Sequence, residues 1–312
     1  ASIAGVTFAD RPAEVHVDDE YQGSRLVAGQ RTWSQLPSIL SDDTDGLRGA
    51  CDEFLTILAV CHTVIPERRG DKVVFQASSP DEAALVAGAE ALGYQFVTRK
   101  PQSVYVDVHG TTREYGILQV CEFNSTRKRM STVVRQPNGR ITLFCKGADT
   151  VILPRLAAGQ AYTDATLAHL EEYAAEGLRT LCIAKKELRE EEYKAWAKTY
   201  EEAAARLDGR AAALDEAAAA IETDLTLVGA TAIEDKLQEG VPETIATLQS
   251  AGIKVWVLTG DRQETAINIG YSCRLISESM SLLIVNEATA ADTAAVIRQQ
   301  LDTVQGQAGE AG

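Results

Sequence analysis

The spacing of apolar residues changes near Leu225, and this change constrains the fold more than any other feature of the 312-residue sequence. Between Tyr94 and Cys145 apolar and polar residues alternate, which is typical of antiparallel strands. After Leu225 the strand and helix patterns alternate as βαβαβ, which indicates a parallel sheet with crossover helices. We therefore predict an α+β domain at residues 1–225, with an antiparallel sheet and flanking helices, and part of a Rossmann-like α/β domain at residues 226–312.

Local signals place individual elements within this outline. Ser79 as an N-cap and Gly93 as a stop predict a helix over residues 80–92. Pro137-Asn138-Gly139 predicts a hairpin turn, and the alanine- and glutamate-rich residues 201–222 predict a solvated pair of helices. In the second domain the patterns predict strands at 225–230, 253–258 and 282–285 and helices at 239–250 and 264–273.

The charge of the chain limits its partners. A formal net charge of -15 opposes nonspecific attraction to nucleic acid or anionic lipid, so a phosphate-bearing ligand needs a local basic pocket. The six cysteines lack C-x-x-C or zinc-type spacing, which is typical of buried thiols in a reducing, cytosolic compartment. No stretch approaches the roughly 20 apolar residues of a membrane span. We expect a soluble chain without a nucleic-acid partner, and its start at Ala1 within a strand pattern suggests an excised piece.

One candidate site follows the predicted strand at 253–258. Thr259 and Gly260 would lie at its carboxyl end, where an open α/β sheet binds ligands, and the next helix offers N–H groups to a phosphate. Asp261 could then hold Mg²⁺ through water. The alternative is a strand-to-helix turn that Asp261 caps.

Two strand-end cations are further candidates. Lys146 ends a strand and is followed by Gly147, which leaves room beside an ammonium for a phosphate or a base. Arg179 follows the predicted helix stop Gly177, and its planar guanidinium suits phosphate. The alternatives are a solvated lysine and a surface ion pair.

The third candidate is an aromatic residue beside positive charge. Phe123 stands at a strand end before the basic run Arg127-Lys128-Arg129, so its ring could stack on a purine while the run attracts a triphosphate. Alternatively Phe123 belongs to the core and the run is a solvated hairpin. Ser79 to Glu82 form a helix start whose carboxylates complement the helix dipole.

These motifs occur together, in order, in one family. The sequence lacks a G-x-x-x-x-G-K-[ST] loop and a G-x-S-x-G elbow, which excludes ordinary P-loop ATPases and gives no support to an α/β-hydrolase. It resembles the type-IV P-type ATPases, the phospholipid flippases, and among them the fungal phosphatidylserine flippases of the trans-Golgi. The resemblance rests on six segments: 78–85, 122–130, 146–149, 177–180, 229–238 and 259–266.

The resemblance implies a role for each residue of an ATP site. Phe123 would stack on adenine, with Glu82 and Ser125 beside the base. Lys146 would line the same pocket, and Arg179 would reach the phosphates.

Four further residues would connect the two domains in this family. Asp235 would lie in the hinge, on the ribose side of the nucleotide. Thr259, Gly260 and Asp261 would belong to the phosphorylation domain, of haloacid dehalogenase type, and face the transferred phosphoryl group and its Mg²⁺.

The resemblance also implies what this chain does not do alone. The family's phosphorylated aspartate in D-K-T-G-T, the Mg²⁺ loop G-D-G-x-N-D and the D-G-E-T motif are absent from the sequence, so it offers no catalytic residue. We expect it to bind ATP without hydrolysing it. The full-length protein would act at the cytosolic face of an intracellular membrane, on a phospholipid such as phosphatidylserine, with an accessory membrane subunit.

Two other functions compete with this one. The second domain alone would fit a free-standing phosphatase or phosphotransferase of haloacid dehalogenase type, but this function needs a nucleophilic aspartate at a strand end, and the sequence shows none. The other competitor is a protein-interaction module without a ligand, which nucleotide titration would identify.

Overall fold

The strands form one large sheet and one small hairpin. The structure, a computed structural model, describes residues 1–9, 31–69, 72–77, 79–234, 237–259, 263–277 and 280–310. The strands are β1 (Ser2–Ile3), β2 (Val6–Ala9), β3 (Arg31–Thr32), β4 (Ile65–Arg69), β5 (Lys72–Gln76), β6 (Tyr94–Lys100), β7 (Ser103–Val108), β8 (Thr111–Cys121), β9 (Arg129–Arg135), β10 (Ile141–Gly147), β11 (Arg179–Leu188) and β12 (Thr226–Ile233).

Helices connect and cover these strands. They are α1 (Leu36–Ser41), α2 (Arg48–Val60), α3 (Pro80–Ala91), α4 (Asp149–Ile152), α5 (Thr163–Ala175), α6 (Glu190–Ala204), α7 (Arg210–Ile221), α8 (Val241–Ser250), α9 (Gln263–Ser272) and α10 (Ala290–Glu310).

Among the described residues, the large sheet contains ten strands in the order β3-β2-β1-β12-β11-β10-β9-β8-β7-β6, and β4 pairs with β5 separately. Its ladders are antiparallel except for the short parallel pairing of β2 with β3. The predicted antiparallel sheet with flanking helices is therefore confirmed.

The sheet has an apolar core on each side. Along the fully buried strand β10, Phe144 belongs to the cluster that includes Phe54 of α2. Its neighbours Leu143 and Cys145 belong to the cluster of Leu170, Trp196 and Ile221 on α5, α6 and α7. Because successive side chains of a strand point to opposite faces, β10 lies between two helical layers. This double burial fixes the sheet as a rigid base for the loops at its ends.

Local signals in the sequence correctly predict a helix and a turn that flank the large sheet, and a pair of helices. The predicted helix over 80–92 appears as Pro80–Ala91, with Ser79 at the N-cap and Gly93 at a φ of +88° just after it. Gly139 has a φ of +84° in the turn between β9 and β10, as the predicted hairpin requires. The alanine-rich segment forms the last turn of α6 and all of α7, but Ala203, Ala217 and Ile221 are buried, so the segment is packed rather than solvated throughout.

The strand predicted at residues 225–230 is formed, but the prediction that it belongs to a parallel sheet was wrong. It forms β12, which pairs antiparallel with β11 on one side and with β1 on the other, so it belongs to the large sheet. A short apolar run indicates a buried strand of either kind, and periodicity alone does not separate a parallel from an antiparallel neighbour. The compact unit that contains this sheet comprises Ala1–Lys236 with Asp261–Thr265, so β12 belongs to the unit with the antiparallel sheet.

The second unit comprises Leu237–Gly260 and Ala266–Gly312. Its predicted helices appear as α8 and α9, whereas the strands predicted at 253–258 and 282–285 are not formed. Trp256 is 83% and Leu258 97% exposed. A strand of a parallel sheet needs hydrogen-bonded neighbours, and the described residues of this unit supply no strand beside either segment.

Among the residues that the structure describes, no helix is both long enough and apolar enough to cross a membrane.

Candidate functional site

A cavity of about 660 Å³ opens at one end of the large sheet, within the first unit. Successive antiparallel strands bring the end of β8, the start of β9, the end of β10 and the start of β11 to this end. The turn after α2 and the first turns of α3 complete the wall. The residues that line it are Thr63, Ser79, Asp81, Glu82, Leu85, Glu122, Phe123, Met130, Lys146, Gly147 and Leu181.

Phe123 is the exposed aromatic residue of this cavity. It lies two residues after Cys121, the buried last residue of β8, and is 63% exposed. The structure thus rejects the interpretation of Phe123 as a core residue. An apolar ring held in solvent at the edge of a cavity is suited to stacking on a planar ligand.

Glu82 and Lys146 meet at the cavity wall. Lys146 Nζ lies 3.4 Å from Glu82 Oε1, and both side chains are more than nine-tenths buried. Thr63 donates its backbone N–H to Oε1 at 3.0 Å and its hydroxyl to Oε2 at 2.8 Å. Three donors therefore converge on one carboxylate, and neither predicted residue is a solvated surface group.

These contacts determine the charge states of Glu82 in the cavity wall and of the nearby His62. Burial raises the pKa of Glu82, but the Lys146 ammonium and the two Thr63 hydrogen bonds outweigh it, so this pKa lies below the usual 4.5. Burial, together with the charge of Lys146, lowers the pKa of His62 to about 3. A neutral His62 donates from Nε2 to the Ala59 carbonyl and accepts the Val64 N–H at Nδ1. The His62 ring thereby stabilises the turn that carries Thr63.

Arg179 is half-buried at the start of β11. Its guanidinium lies 3.2 Å from Oδ2 of Asp81, which lines the cavity. The arginine side chain is therefore brought next to the cavity and is partly neutralised there by a carboxylate.

The basic run does not form a phosphate site. Arg127 and Arg129 are 5% and 3% exposed, and both donate to the fully buried carboxylate of Glu222 at the end of α7. Only Lys128 of the three is exposed. The run is neither a solvated hairpin nor a cluster of ligand-facing charges, because a buried acid from another element pairs with two of its members.

Gly147 is required by close packing. A Cβ at this position would lie 2.4 Å from Cβ of Arg129 and 2.8 Å from the Lys128 carbonyl oxygen. The glycine after Lys146 therefore lets β10 approach the turn that carries the basic run.

The other predicted site residues are less closely associated with the cavity. Ser125 is exposed in the turn after Phe123 and does not line the cavity. Thr259 belongs to the second unit. The predictions for Asp235, Gly260 and Asp261 fall outside the described residues. Among the described residues, no group of three or more histidine, cysteine or acidic side chains is arranged to hold a metal ion.

Sequence reasoning missed Thr63, Met130 and Leu181, which also line the cavity. Thr63 follows α2 without a motif, and only its contact with Glu82, 19 positions later, reveals its place. No signal in the sequence could have identified it.

The chain matches proteins of known function over most of its length. Residues 50–240 match the family model described as P-type ATPase, cytoplasmic domain N. The phospholipid-transporting ATPase DRS2 of Saccharomyces cerevisiae is 57% identical over 296 residues, which are 94% of this chain and 22% of the relative. The phospholipid-transporting ATPase C887.12 of Schizosaccharomyces pombe is 57% identical over 254 residues, 81% of this chain and 20% of the relative.

A further relative, the phospholipid-transporting ATPase DNF1 of Chaetomium thermophilum, is 52% identical and covers 81% of this chain and 17% of its own length. This chain thus spans about a fifth of the length of the curated relatives that it matches. The family model covers more than half of the chain, and the cavity residues from Thr63 to Leu181 lie inside the matched segment. The chain belongs to the P-type ATPase family, in the type-IV branch of these phospholipid-transporting relatives, and it carries the family's cytoplasmic domain N.

Proposed function

We propose that this chain binds ATP in the cavity, with the adenine ring stacked on Phe123. The observation that carries the proposal is the exposed Phe123 ring at the edge of a cavity that also contains the Glu82–Lys146 pair. The cavity volume of about 660 Å³ lies within the range of small-molecule sites.

The polar groups support a nucleotide rather than a purely apolar ligand. Glu82 is ionised and offers acceptor oxygens toward a base, and Lys146 provides a cation in an acidic chain. Arg179, beside Asp81, supplies a second cation for the phosphates. In this arrangement the base lies near Phe123 and Glu82, Ser125 lies beside it, and the phosphates extend toward Arg179.

For the whole protein we propose an ATP-driven phospholipid translocase, as the names of the relatives suggest. In it, the second unit forms part of the phosphorylation domain, Asp235 contacts the ribose side, and Thr259, Gly260 and Asp261 face the γ-phosphate and Mg²⁺. Phosphatidylserine as the lipid, an accessory membrane subunit and a location at the trans-Golgi membrane belong to the same proposal. They rest on the resemblance to the fungal flippases.

The test is a titration of the isotope-labelled chain with ATP, followed by NMR. We expect resonances of cavity residues such as Thr63, Leu85 and Leu181 to shift first and in a saturable way. Residues on the far helices, such as those of α5, should not respond. Shifts confined to surfaces away from the cavity would reject the site, and a spectrum unchanged at millimolar ATP would favour an interaction module without a ligand.

A further inference from the structure

The turn that carries Phe123 is attached to the α6–α7 hairpin by two polar links. This turn, residues 122–128, leaves β8 and enters β9. A second cavity of about 470 Å³ lies between it and the hairpin, lined by residues of the turn and of both helices. Because this space is not filled by side chains, apolar packing alone does not hold the turn against the helices.

The first link is centred on Glu222. Its buried carboxylate accepts from Arg127 and Ser131, and from Arg129 Nε at 2.6 Å. Arg127 also donates from its guanidinium to the Glu122 carbonyl at 2.8 Å. Glu222 is therefore connected through one side chain to the backbone immediately before Phe123.

The second link is centred on Asp215 of α7. Its Oδ1 accepts a hydrogen bond from Asn124 Nδ2 at 2.9 Å. Asn124 Oδ1 in turn accepts the backbone N–H of Arg127 at 2.7 Å. The residue immediately after Phe123 is thus fixed from the same helix that carries Glu222.

We infer that Asp215 and Glu222 are positioning residues for Phe123. They hold the backbone on both sides of the ring, through Asn124 and Arg127, so that the exposed ring stands at the edge of the cavity. A ring held in its bound orientation loses less conformational entropy when a base stacks on it. The inference rests on the proposed nucleotide site, and it assigns a role to the alanine-rich hairpin that the sequence did not reveal.

The test compares Asp215→Ala with Asp215→Asn, which keeps an acceptor for Asn124. The chain is labelled with 4-fluorophenylalanine at its six phenylalanines, and the Phe123 line is assigned by its loss in Phe123→Leu. We expect Asp215→Ala to shift or narrow the Phe123 line alone and to weaken calorimetric binding of ATP and of adenosine about threefold or more, by the same factor. Asp215→Asn should restore the line and the affinity.

A matched control is Glu190→Gln. It breaks the pair with Arg135, which joins the start of α6 to β9 at 3.1 Å without touching the Phe123 turn. This variant should leave the Phe123 line and both affinities unchanged, and Glu222→Gln should repeat the Asp215→Ala effect if it remains folded.

An unchanged Phe123 line and unchanged affinities in folded Asp215→Ala would overturn the inference. So would a failure of Asp215→Asn to restore them. If the wild-type chain binds no nucleotide, the proposed function fails, but the fluorine line of Phe123 still decides whether Asp215 positions the ring.

Discussion

Lys146 Nζ and Glu82 Oε1 lie 3.4 Å apart across 64 positions of sequence, and both side chains are buried at the cavity wall. A buried carboxylate without its cation, or the reverse, costs far more than an exposed one. The same two groups that face the proposed nucleotide therefore also stabilise the fold.

The first prediction concerns Glu82→Gln, which leaves Lys146 buried without a carboxylate. We expect the free energy of unfolding at pH 7 to fall by about 1–3 kcal/mol. Because the folded pKa of Glu82 lies below 4.5, its contribution is complete above pH 4.5 and is lost as the pH falls through the folded value. Denaturant titrations of both proteins across this range should therefore converge at low pH.

The control for this variant is Glu53→Gln, which removes a half-buried pair with Lys185. Its effect should be within about 1 kcal/mol, since partly exposed pairs contribute little. A Glu82→Gln loss that stays constant from pH 7 to acid would contradict an ionised Glu82.

The second prediction concerns the packing around Gly147. Gly147→Ala would place a Cβ 2.4 Å from that of Arg129, so the backbone must shift, and we expect a loss of about 1–3 kcal/mol in unfolding free energy. Gly116→Ala is the matched change on β8, where the nearest side-chain atom is 3.5 Å away and no such shift is needed. Thermal unfolding of the two variants measures the difference. Equal unfolding midpoints for the two alanine variants would show that the close approach to Arg129 does not restrict the residue at position 147.

The third prediction concerns the Asp81–Arg179 pair. It compares ATP with adenosine to distinguish contacts with the phosphates from contacts with the base. Asp81→Asn removes a negative charge 3.2 Å from the guanidinium, so ATP should bind roughly twofold to tenfold more tightly while adenosine is unaffected. Arg179→Gln should weaken the binding of ATP and leave the binding of adenosine unchanged. Calorimetry with both ligands measures each change.

The control for these variants is Arg140→Gln, which removes an exposed arginine between β9 and β10 that pairs with Glu187 of β11. It should change neither affinity. If Arg179→Gln weakened ATP and adenosine equally, Arg179 would not face the phosphates.

The sequence predicted what depends on neighbouring residues. Ser79 and Gly93 marked the limits of α3, and alternation marked the antiparallel strands, because caps and periodicity act within one element. The position of Phe123 at a strand end followed from the same local pattern, although the pattern left its exposure open.

The sequence could not predict what depends on partners from distant elements. Arg127 and Arg129 looked like ligand-facing charges because nothing near them suggested Glu222, more than 90 positions later. Likewise, β12 was predicted as the first strand of a parallel sheet. Its actual neighbours, β1 and β11, are determined by the tertiary fold and not by the local sequence.

The fourth prediction is that this chain binds ATP without being phosphorylated. In-line phosphoryl transfer needs an acceptor carboxylate and a metal ion on the developing charge, and the sequence contains neither D-K-T-G-T nor G-D-G-x-N-D. Incubation with radiolabelled ATP and Mg²⁺ should leave no acid-stable label, and phosphate release should equal a buffer control. Stoichiometric, hydroxylamine-sensitive labelling would instead indicate a phosphotransferase.

The adenine site is tested by calorimetric ATP binding to Phe123→Ala, compared with Tyr162→Ala, which truncates an exposed aromatic residue outside the cavity. Stacking contributes about 1–3 kcal/mol per base, so Phe123→Ala should weaken binding about tenfold or more while the thermal midpoint is retained. Tyr162→Ala should bind ATP as the wild type does. Unchanged affinity in folded Phe123→Ala would show that Phe123 does not stack on adenine and would contradict the proposed site.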